Sequence, residues 1–194
     1  MKKIFIVTGE ESGDIRAAEL VNSLKKGGEI EFYGVGGKNM EGAGVNIDFS
    51  ISNLSVVGFA EVIGKLPSLF KFRKKLHKKI LERNPDILIV TDYPGFNIPL
   101  LRWSKKKGFK TVYYILPQVW AWKEGRKKKI RKYSDLMLSI IPFEKKYFGD
   151  KCHYIGHPVV KRVREFKNNY KGKADENLVG IFPGSRENEI LKNL

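Results

Sequence analysis

Short apolar segments recur along the chain, and most are separated by stretches that can form a helix, such as 15–26, 67–83 and 98–107. The apolar segments lack polar alternation, which is typical of strands buried on both faces of a parallel sheet. They predict strands at 4–8, 32–35, 87–91, 111–115, 136–140 and 178–182. The pattern indicates an α/β fold with an open, doubly wound parallel sheet of the Rossmann-like type.

The chain becomes polar between its fifth and sixth apolar segments. We therefore expect a first domain over residues 1–166, a linker over 167–177, and the start of an incomplete second α/β domain over 178–194. Residues 167–173, which lack an apolar period, could also be an exposed helix end instead of a linker.

The charge balance of the chain indicates the kind of partner that it binds. The chain has 37 Lys and Arg against 21 Asp and Glu, a net charge of +16, which indicates an anionic partner such as RNA, a lipid surface or a phosphorylated substrate. Its single cysteine, Cys152, excludes an internal disulfide and suits a reducing cytoplasm. The first apolar run ends at Thr8, too early for a signal peptide. No run approaches the roughly 20 apolar residues of a spanning helix, so we expect any membrane contact to be peripheral.

Aromatic and basic residues occur together in residues 117–130. Trp120 and Trp122 are two of the three tryptophans, and the densest basic run follows them. Such a stretch suits nucleic acid, with bases beside phosphates, or a membrane leaflet, with acyl chains beneath anionic headgroups.

Carboxylates follow the first predicted strand, in residues 9–14. Ser12 is a candidate N-cap, and Asp14 suits the positive end of a helix dipole. Glu10 and Glu11 would repel a phosphate, so the loop fits sugar hydroxyls better, or it is a tight turn with a cap.

Another carboxylate, Asp92, follows the third predicted strand. It could accept a proton from a bound hydroxyl or cap the next helix. Pro94 and Gly95 predict a sharp turn, and Asn97 could orient a substrate or cap a helix that begins near Ile98. The glycines of residues 34–37 predict a tight turn.

Residues 56–80 combine apolar and basic positions. Apolar residues keep helical spacing at Leu66, Leu69, Phe70, Leu76 and Ile80, with lysines on the remaining surface. This pattern is typical of a helix that covers a sheet or one that lies in a membrane interface. The candidate membrane contacts are Phe59, Val62, Leu69, Phe70, Lys74 and Lys75.

Taken together, the predicted strand-end segments resemble those of a known family. They are GEESGD at 9–14, GVGGKNM at 34–40, VGFAEVI at 57–63, DYPGFN at 92–97, PQVWAWKEGR at 117–126, PFEKKYF at 142–148, IGHPV at 155–159 and FPGSR at 182–186. In order and spacing they resemble lipid A disaccharide synthase, a glycosyltransferase family of the GT-B fold, over residues 3–190.

The resemblance implies an inverting transfer of 2,3-diacylglucosamine from its UDP derivative to 2,3-diacylglucosamine 1-phosphate, through a β-1,6 bond. The family works at the cytoplasmic face of the inner membrane, and neither a metal nor a cofactor is implied. By the resemblance Asp92 is the general base on the acceptor 6-hydroxyl, and Arg186 meets the nucleotide diphosphate. The other implied substrate-binding residues are Glu11, Ser12, Asp14, Asn97 and Trp120.

The chain departs from the family in two ways. Gly95 occupies the position of a second acid in the family motif D-x-P-D-F-N. Family members are also about twice this length, so residues 1–166 correspond to the acceptor side and 178–194 to the start of the nucleotide-sugar domain. We expect the chain alone to be inactive and to need that domain in cis or in trans. The alternatives are a non-catalytic domain that binds anionic lipid and, less favoured by the placement of the aromatics, a module that binds nucleic acid.

Overall fold

The computed structural model of the protein describes residues 1–51, 66–118, 124–170, 172, 177 and 179–182. Its strands are β1 Lys2–Val7, β2 Ile30–Gly36, β3 Asn46–Ser50, β4 Ile87–Thr91, β5 Lys110–Tyr114, β6 Leu136–Ser139 and β7 Cys152–Tyr154. Its helices are α1 Glu11–Leu24, α2 Lys38–Gly42, α3 Leu66–Arg83, α4 Pro94–Lys106, α5 Glu124–Tyr133, α6 Lys145–Phe148 and α7 Pro158–Asn169. Short 3-10 turns occupy Lys25–Gly27 and Pro142–Glu144.

The strands form one parallel sheet in the order β3-β2-β1-β4-β5-β6-β7. From β1 the chain builds outward through β2 to β3, then returns to add β4 on the other side of β1. This confirms the predicted open, doubly wound α/β fold. It also places a topological switch point between β1 and β4, where ligands bind in folds of this kind.

Alternate residues of each central strand point to opposite faces of the sheet, and each face carries a hydrophobic cluster. Phe5 and Val7 of β1 belong to one cluster, together with buried residues of α3, α4 and α5. Ile4 and Ile6 belong to the other, together with buried residues of α1 and α2. Burial on both faces explains why these strands are apolar throughout.

Two strands were not predicted, and one predicted strand is absent. β3 is only partly buried and β7 has three residues, so neither carries an uninterrupted apolar run. The prediction of a strand at 178–182 is wrong, because residues 179–182 have no regular structure. The predicted tight turn at 34–37 is also wrong in part, since Gly34 and Gly36 lie within β2. A Cβ at Gly34 would stand 2.1 Å from the Ile6 carbonyl oxygen, so the close approach of β1 requires glycine there.

The buried face of α3 differs from its predicted face by one position. Phe72, Leu76 and Ile80 are buried, whereas the Phe70 side chain is 62% exposed. Residues spaced by three or four share a helix face, and Phe70 lies outside that series. Phe70 therefore projects away from the core, among exposed lysines.

The residues divide into two compact units, Met1–Val160 and Lys161–Leu194. The first contains the whole sheet. Helix α7 begins at Pro158 and continues to Asn169, and its residues from Val159 onward are exposed. The predicted boundary at residue 166 and the linker at 167–177 stay predictions. Within the described part of the chain, no helix is both long enough and apolar enough to cross a bilayer.

Candidate functional site at the sheet switch point

The loops after β1 and β4 meet at the carboxyl edge of the sheet, at the switch point. Gly9 marks the contact, because a Cβ on Gly9 would lie 2.7 Å from Cδ1 of Tyr93. The negative charge of Glu10 also contributes to a raised pKa of Tyr93, after desolvation by burial. The structure thus brings together the two loops in which the sequence placed candidate site residues.

The chain leaves β4 through a strained turn. Asp92 has φ 46° and Tyr93 has φ 40°, both in the left-handed region. That region is open to Asp but uncommon for a bulky aromatic residue, and each such residue costs on the order of 1–2 kcal/mol. Strain of this kind persists where surrounding contacts hold it in place, and it clusters at functional sites.

Hydrogen bonds to the Asp92 backbone hold this turn. The Asp92 carbonyl oxygen accepts the Tyr113 hydroxyl at 2.6 Å and Asn97 Nδ2 at 2.8 Å. Asn97 Nδ2 also donates to the Thr91 carbonyl at 3.0 Å, and the Asp92 amide donates to the Ile115 carbonyl at 3.4 Å. The backbone is fixed from two neighbouring elements, so the Asp92 side chain is directed outward from the strand end.

The Asp92 side chain is exposed, yet the protein around it excludes enough water to raise the pKa of its carboxyl group. Desolvation is the larger effect, and a hydrogen bond from the Tyr93 backbone partly opposes it. A carboxylate with a raised pKa binds a proton more tightly than an ordinary aspartate, as a general base requires. Asp92 is therefore the residue of this edge best suited to accept a proton.

Asn97 supports the turn from within the protein. Its side chain is buried, and Nδ2 is occupied by the two carbonyl oxygens of Thr91 and Asp92. Helix α4 begins at Pro94, with Pro at its first position, so the expectation of a helix start near Ile98 is wrong. Asn97 Oδ1 is buried without a hydrogen-bond partner among the described residues, and the predicted contact of Asn97 with a substrate stays a prediction.

Asp14 holds the loop after β2. Its side chain is fully buried, and its carboxylate accepts hydrogen bonds from the backbone amides of Gly37, Asn39 and Met40, at 2.6, 2.9 and 3.3 Å. Asn39 Nδ2 donates a further bond at 2.9 Å. Asp14 thus caps α2 and fixes this loop, and its predicted contact with a substrate stays a prediction.

Glu11 and Ser12 are exposed beside the switch point. Helix α1 begins at Glu11 with Glu10 at the N-cap, so Ser12 lies inside the first turn and the N-cap assignment is wrong. Glu11 accepts a hydrogen bond from Asn39 Nδ2 at 3.3 Å. Both side chains remain available to hydroxyl groups of a ligand.

The other predicted contacts are only partly described. Trp120, Arg186, Phe59 and Val62 lie outside the described residues. Leu69 is partly buried against the core of the sheet, whereas Phe70, Lys74 and Lys75 are exposed on α3. Among the residues that the structure describes, no three His, Cys, Asp or Glu side chains lie close enough to hold a metal ion.

Tyr113 supports the Asp92 turn, and no motif in the sequence indicated this role. It was included in the apolar run of β5, and its ring is fully buried. A buried hydroxyl needs a partner, and here the partner is the carbonyl of the candidate base. Tyrosines in a buried strand are the signal that could have indicated it, and only the contact with Asp92 distinguishes Tyr113 from the adjacent Tyr114.

Solved structures with the same architecture include nucleotide-sugar enzymes. A UDP-GlcNAc 2-epimerase from Methanocaldococcus jannaschii, in complex with UDP-GlcNAc and UDP, matches with a TM-score of 0.64 and 12% identity, over 88% of this chain and 51% of that chain. MnaA from S. aureus with UDP matches with a TM-score of 0.63 and 12% identity, over 93% of this chain and 50% of that one. At such identity the likeness shows the fold, a Rossmann-like domain of the GT-B type.

Sequence comparison identifies much nearer relatives. A lipid-A-disaccharide synthase from Persephonella marina is 41% identical, over 98% of this chain and 52% of that protein. Lipid-A-disaccharide synthase 1 from Legionella pneumophila is 38% identical, over 99% of this chain and 53% of that protein. The chain thus spans about half the length of these relatives. The family model for lipid-A-disaccharide synthetase matches residues 4–194, and the chain belongs to that family.

Proposed function

We propose that this chain is the acceptor-side part of an inverting glycosyltransferase that makes a lipid A disaccharide. The observation that carries the proposal is Asp92, a carboxylate with a raised pKa, exposed on a strained turn at the switch point. Membership of the family and the UDP-sugar ligands of the structural neighbours agree with a UDP-linked donor. The second half of the enzyme, in cis or in trans, supplies most of the donor site.

In the proposed reaction the Asp92 carboxylate removes the proton from the 6-hydroxyl of 2,3-diacylglucosamine 1-phosphate. The hydroxyl oxygen then attacks the anomeric carbon of UDP-2,3-diacylglucosamine, and the bond from that carbon to UDP breaks. The products are the β-1,6 disaccharide 1-phosphate and UDP, with the proton left on Asp92. Glu11 and Ser12 contact sugar hydroxyls, and Arg186 and Trp120 keep the substrate roles that the family resemblance assigns.

The decisive experiment replaces Asp92 in the complete enzyme. D92N keeps the shape of the side chain and removes its basicity, so kcat should fall by about 10²- to 10⁴-fold with little change in KM. Disaccharide formation is measured with purified substrates, and thermal melting checks the fold. D150N is the matched control, because Asp150 is exposed in the turn before β7, at the opposite edge of the sheet. Normal turnover by D92N would remove Asp92 from the mechanism and favour the non-catalytic lipid-binding alternative.

The proposal includes peripheral binding to an anionic membrane surface at the cytoplasmic face of the inner membrane. Phe70 is 62% exposed on α3, with Lys71, Lys74 and Lys75 exposed around it. A ring that can enter the acyl boundary, flanked by cations that meet headgroups, is the arrangement of an interfacial helix.

Vesicle co-sedimentation tests this surface. F70S should weaken binding of the complete enzyme to vesicles that contain anionic phospholipid by roughly tenfold, because it removes buried apolar area. L81S is the matched control, since Leu81 is 49% exposed near the other end of the same helix. Equal loss with both variants, or with neither, would place the membrane contact elsewhere.

A further inference from the structure

Arg73, on α3, differs from the arginines that the structure pairs with acids. Arg83 makes a two-pronged contact with Asp48, with nitrogen to oxygen distances of 2.6 to 3.3 Å. Arg16 binds Glu19 at 3.0 and 3.1 Å. Arg73 is half-buried, and within the described ranges its Nε atom is buried with no hydrogen-bond partner.

Burial of this guanidinium is not balanced by an acid among the residues that the structure describes. Desolvation lowers the pKa of Arg73. Aromatic faces offset part of the desolvation, since the guanidinium carbon lies 5.5 Å from the Phe96 ring centroid and 5.9 Å from that of Phe70. A half-buried cation that contacts aromatic rings has already lost part of its hydration, which lowers the cost of binding an anion.

Ring contacts connect Arg73 to the turn of the candidate base and to the exposed ring of α3. Phe96, in the first turn of α4, stacks with Tyr93 at a centroid distance of 6.0 Å and an interplanar angle of 10°. Tyr93 directly follows Asp92. The contacts therefore run continuously from the Asp92 turn through Phe96 to Arg73 and on to Phe70.

His77 lies one turn further along α3, and the positive charge of Arg73 affects its pKa. Its ring stacks on Trp103 at 3.9 Å, and Nε2 is buried without a hydrogen-bond partner in the described part of the chain. Desolvation and then the positive charge of Arg73 lower the pKa of His77 to about 4. An anion at Arg73 would oppose the second cause, so the histidine can report on its occupancy.

We propose that Arg73 binds the phosphate group of the lipid acceptor and so orients the acceptor hydroxyl toward Asp92. The inference rests on the proposed function and deepens it, since it assigns a specificity residue for the acceptor. A planar guanidinium can meet two phosphate oxygens at once, which a lysine ammonium cannot reproduce. The contact of Arg73 with Phe70, the proposed membrane-contact ring, suits an acceptor whose phosphate lies at headgroup level and whose acyl chains continue into the membrane.

The test pairs a change in the protein with a change in the substrate. In the complete enzyme, in detergent micelles, kcat/KM is measured for the acceptor and for an analogue that lacks the 1-phosphate. R73Q should lower kcat/KM for the phosphorylated acceptor by roughly 10- to 100-fold, the usual effect of losing a hydrogen bond between charged groups. With the analogue, R73Q and the wild type should be equal. R73K should recover part of the loss, and R131Q, at an exposed arginine of α5, should match the wild type.

Two results would overturn the assignment. An equal loss with both acceptors would mean that Arg73 acts through the fold. A loss confined to vesicle binding, with micelle kinetics unchanged, would mean that Arg73 meets a phospholipid headgroup and not the acceptor.

Two readouts separate this inference from the proposed function. Because Arg73 has no acid partner among the described residues, R73Q should melt within a few degrees of the wild type. Breaking a structural ion pair would instead lower the melting temperature much more. Glucosamine 1-phosphate should raise the pKa of His77, followed by NMR, in the wild type and not in R73Q. If the wild type makes no disaccharide, the proposed function fails, and the His77 titration still decides whether Arg73 binds a sugar phosphate. An unchanged His77 in the wild type would overturn the inference.

Discussion

Asp14, in the first turn of the helix that follows β1, and Asp92, directly after the neighbouring strand β4, have opposite roles in the structure. Asp14 is fully buried, with backbone amides of the loop after β2 directed at its carboxylate. Asp92 is exposed, and it is its backbone carbonyl that receives the buried donors of Tyr113 and Asn97. One carboxylate stabilises the fold, while the other is held in place by its backbone and stays available for chemistry.

Separate replacement of each acid by alanine should give the largest difference, measured in the free energy of unfolding. D14A should lower the free energy of unfolding by about 2–4 kcal/mol, because three backbone amides lose their acceptor. D92A should change it by less than about 0.5 kcal/mol, since among the described residues only the adjacent Tyr93 amide donates to its carboxylate. Urea denaturation of the two variants measures both values. A comparable loss from D92A would show that Asp92 is also a structural residue.

Tyr113 tests whether the backbone of the Asp92 turn needs its support. Y113F should cost about 1 kcal/mol of stability, because the Asp92 carbonyl keeps Asn97 but loses the hydroxyl. A looser turn should also lower kcat severalfold in the complete enzyme, since small displacements of a base are costly. The matched control is Y114F, a buried tyrosine next along β5 whose side chain belongs to the other face of the sheet. If Y114F reduced kcat as much as Y113F, the hydrogen bond would not be the cause.

The smallest expected effect is a displacement of the pH profile. Asp92 must be ionised to accept a proton, and desolvation raises its pKa above its ordinary value. The acidic limb of kcat/KM should therefore lie above the value of about 3.9 of an unperturbed aspartate, with activity lost as the pH falls through it. A plot of kcat/KM against pH for the complete enzyme measures the limb. A limb at or below the ordinary value would show that Asp92 is not the desolvated base.

The sequence predicted the central strands because their residues face hydrophobic clusters on both sides of the sheet. The predicted strand at 87–91 coincides with β4 Ile87–Thr91, and that at 111–115 differs from β5 Lys110–Tyr114 by one residue at each end. The edge strands were not predicted, since the partly exposed β3 and the short β7 need no continuous apolar run. Phe70 was placed on the apolar face of α3 and also among the candidate membrane contacts, because apolarity alone does not distinguish a core residue from an exposed ring.

The site was predictable in position and less so in detail. Loops after parallel strands converge by topology, so carboxylates at residues 9–14 and at Asp92 were expected near one another. The division of roles between Asp14 and Asp92 depends on which backbone amides approach each carboxylate. No local pattern in the sequence encodes that approach.

By itself the sequence determined the α/β class, the family and the strand ends that carry the site, because these depend on apolar periodicity and on the order of motifs. Tertiary structure decided that Asp14 is buried, that Phe70 is exposed and that the buried Nε of Arg73 has no hydrogen-bond partner among the described residues. The physical reason is that desolvation and hydrogen-bond satisfaction depend on groups distant in the chain, such as Gly37 for Asp14 and Tyr113 for Asp92. Those partners meet only when the sheet has formed.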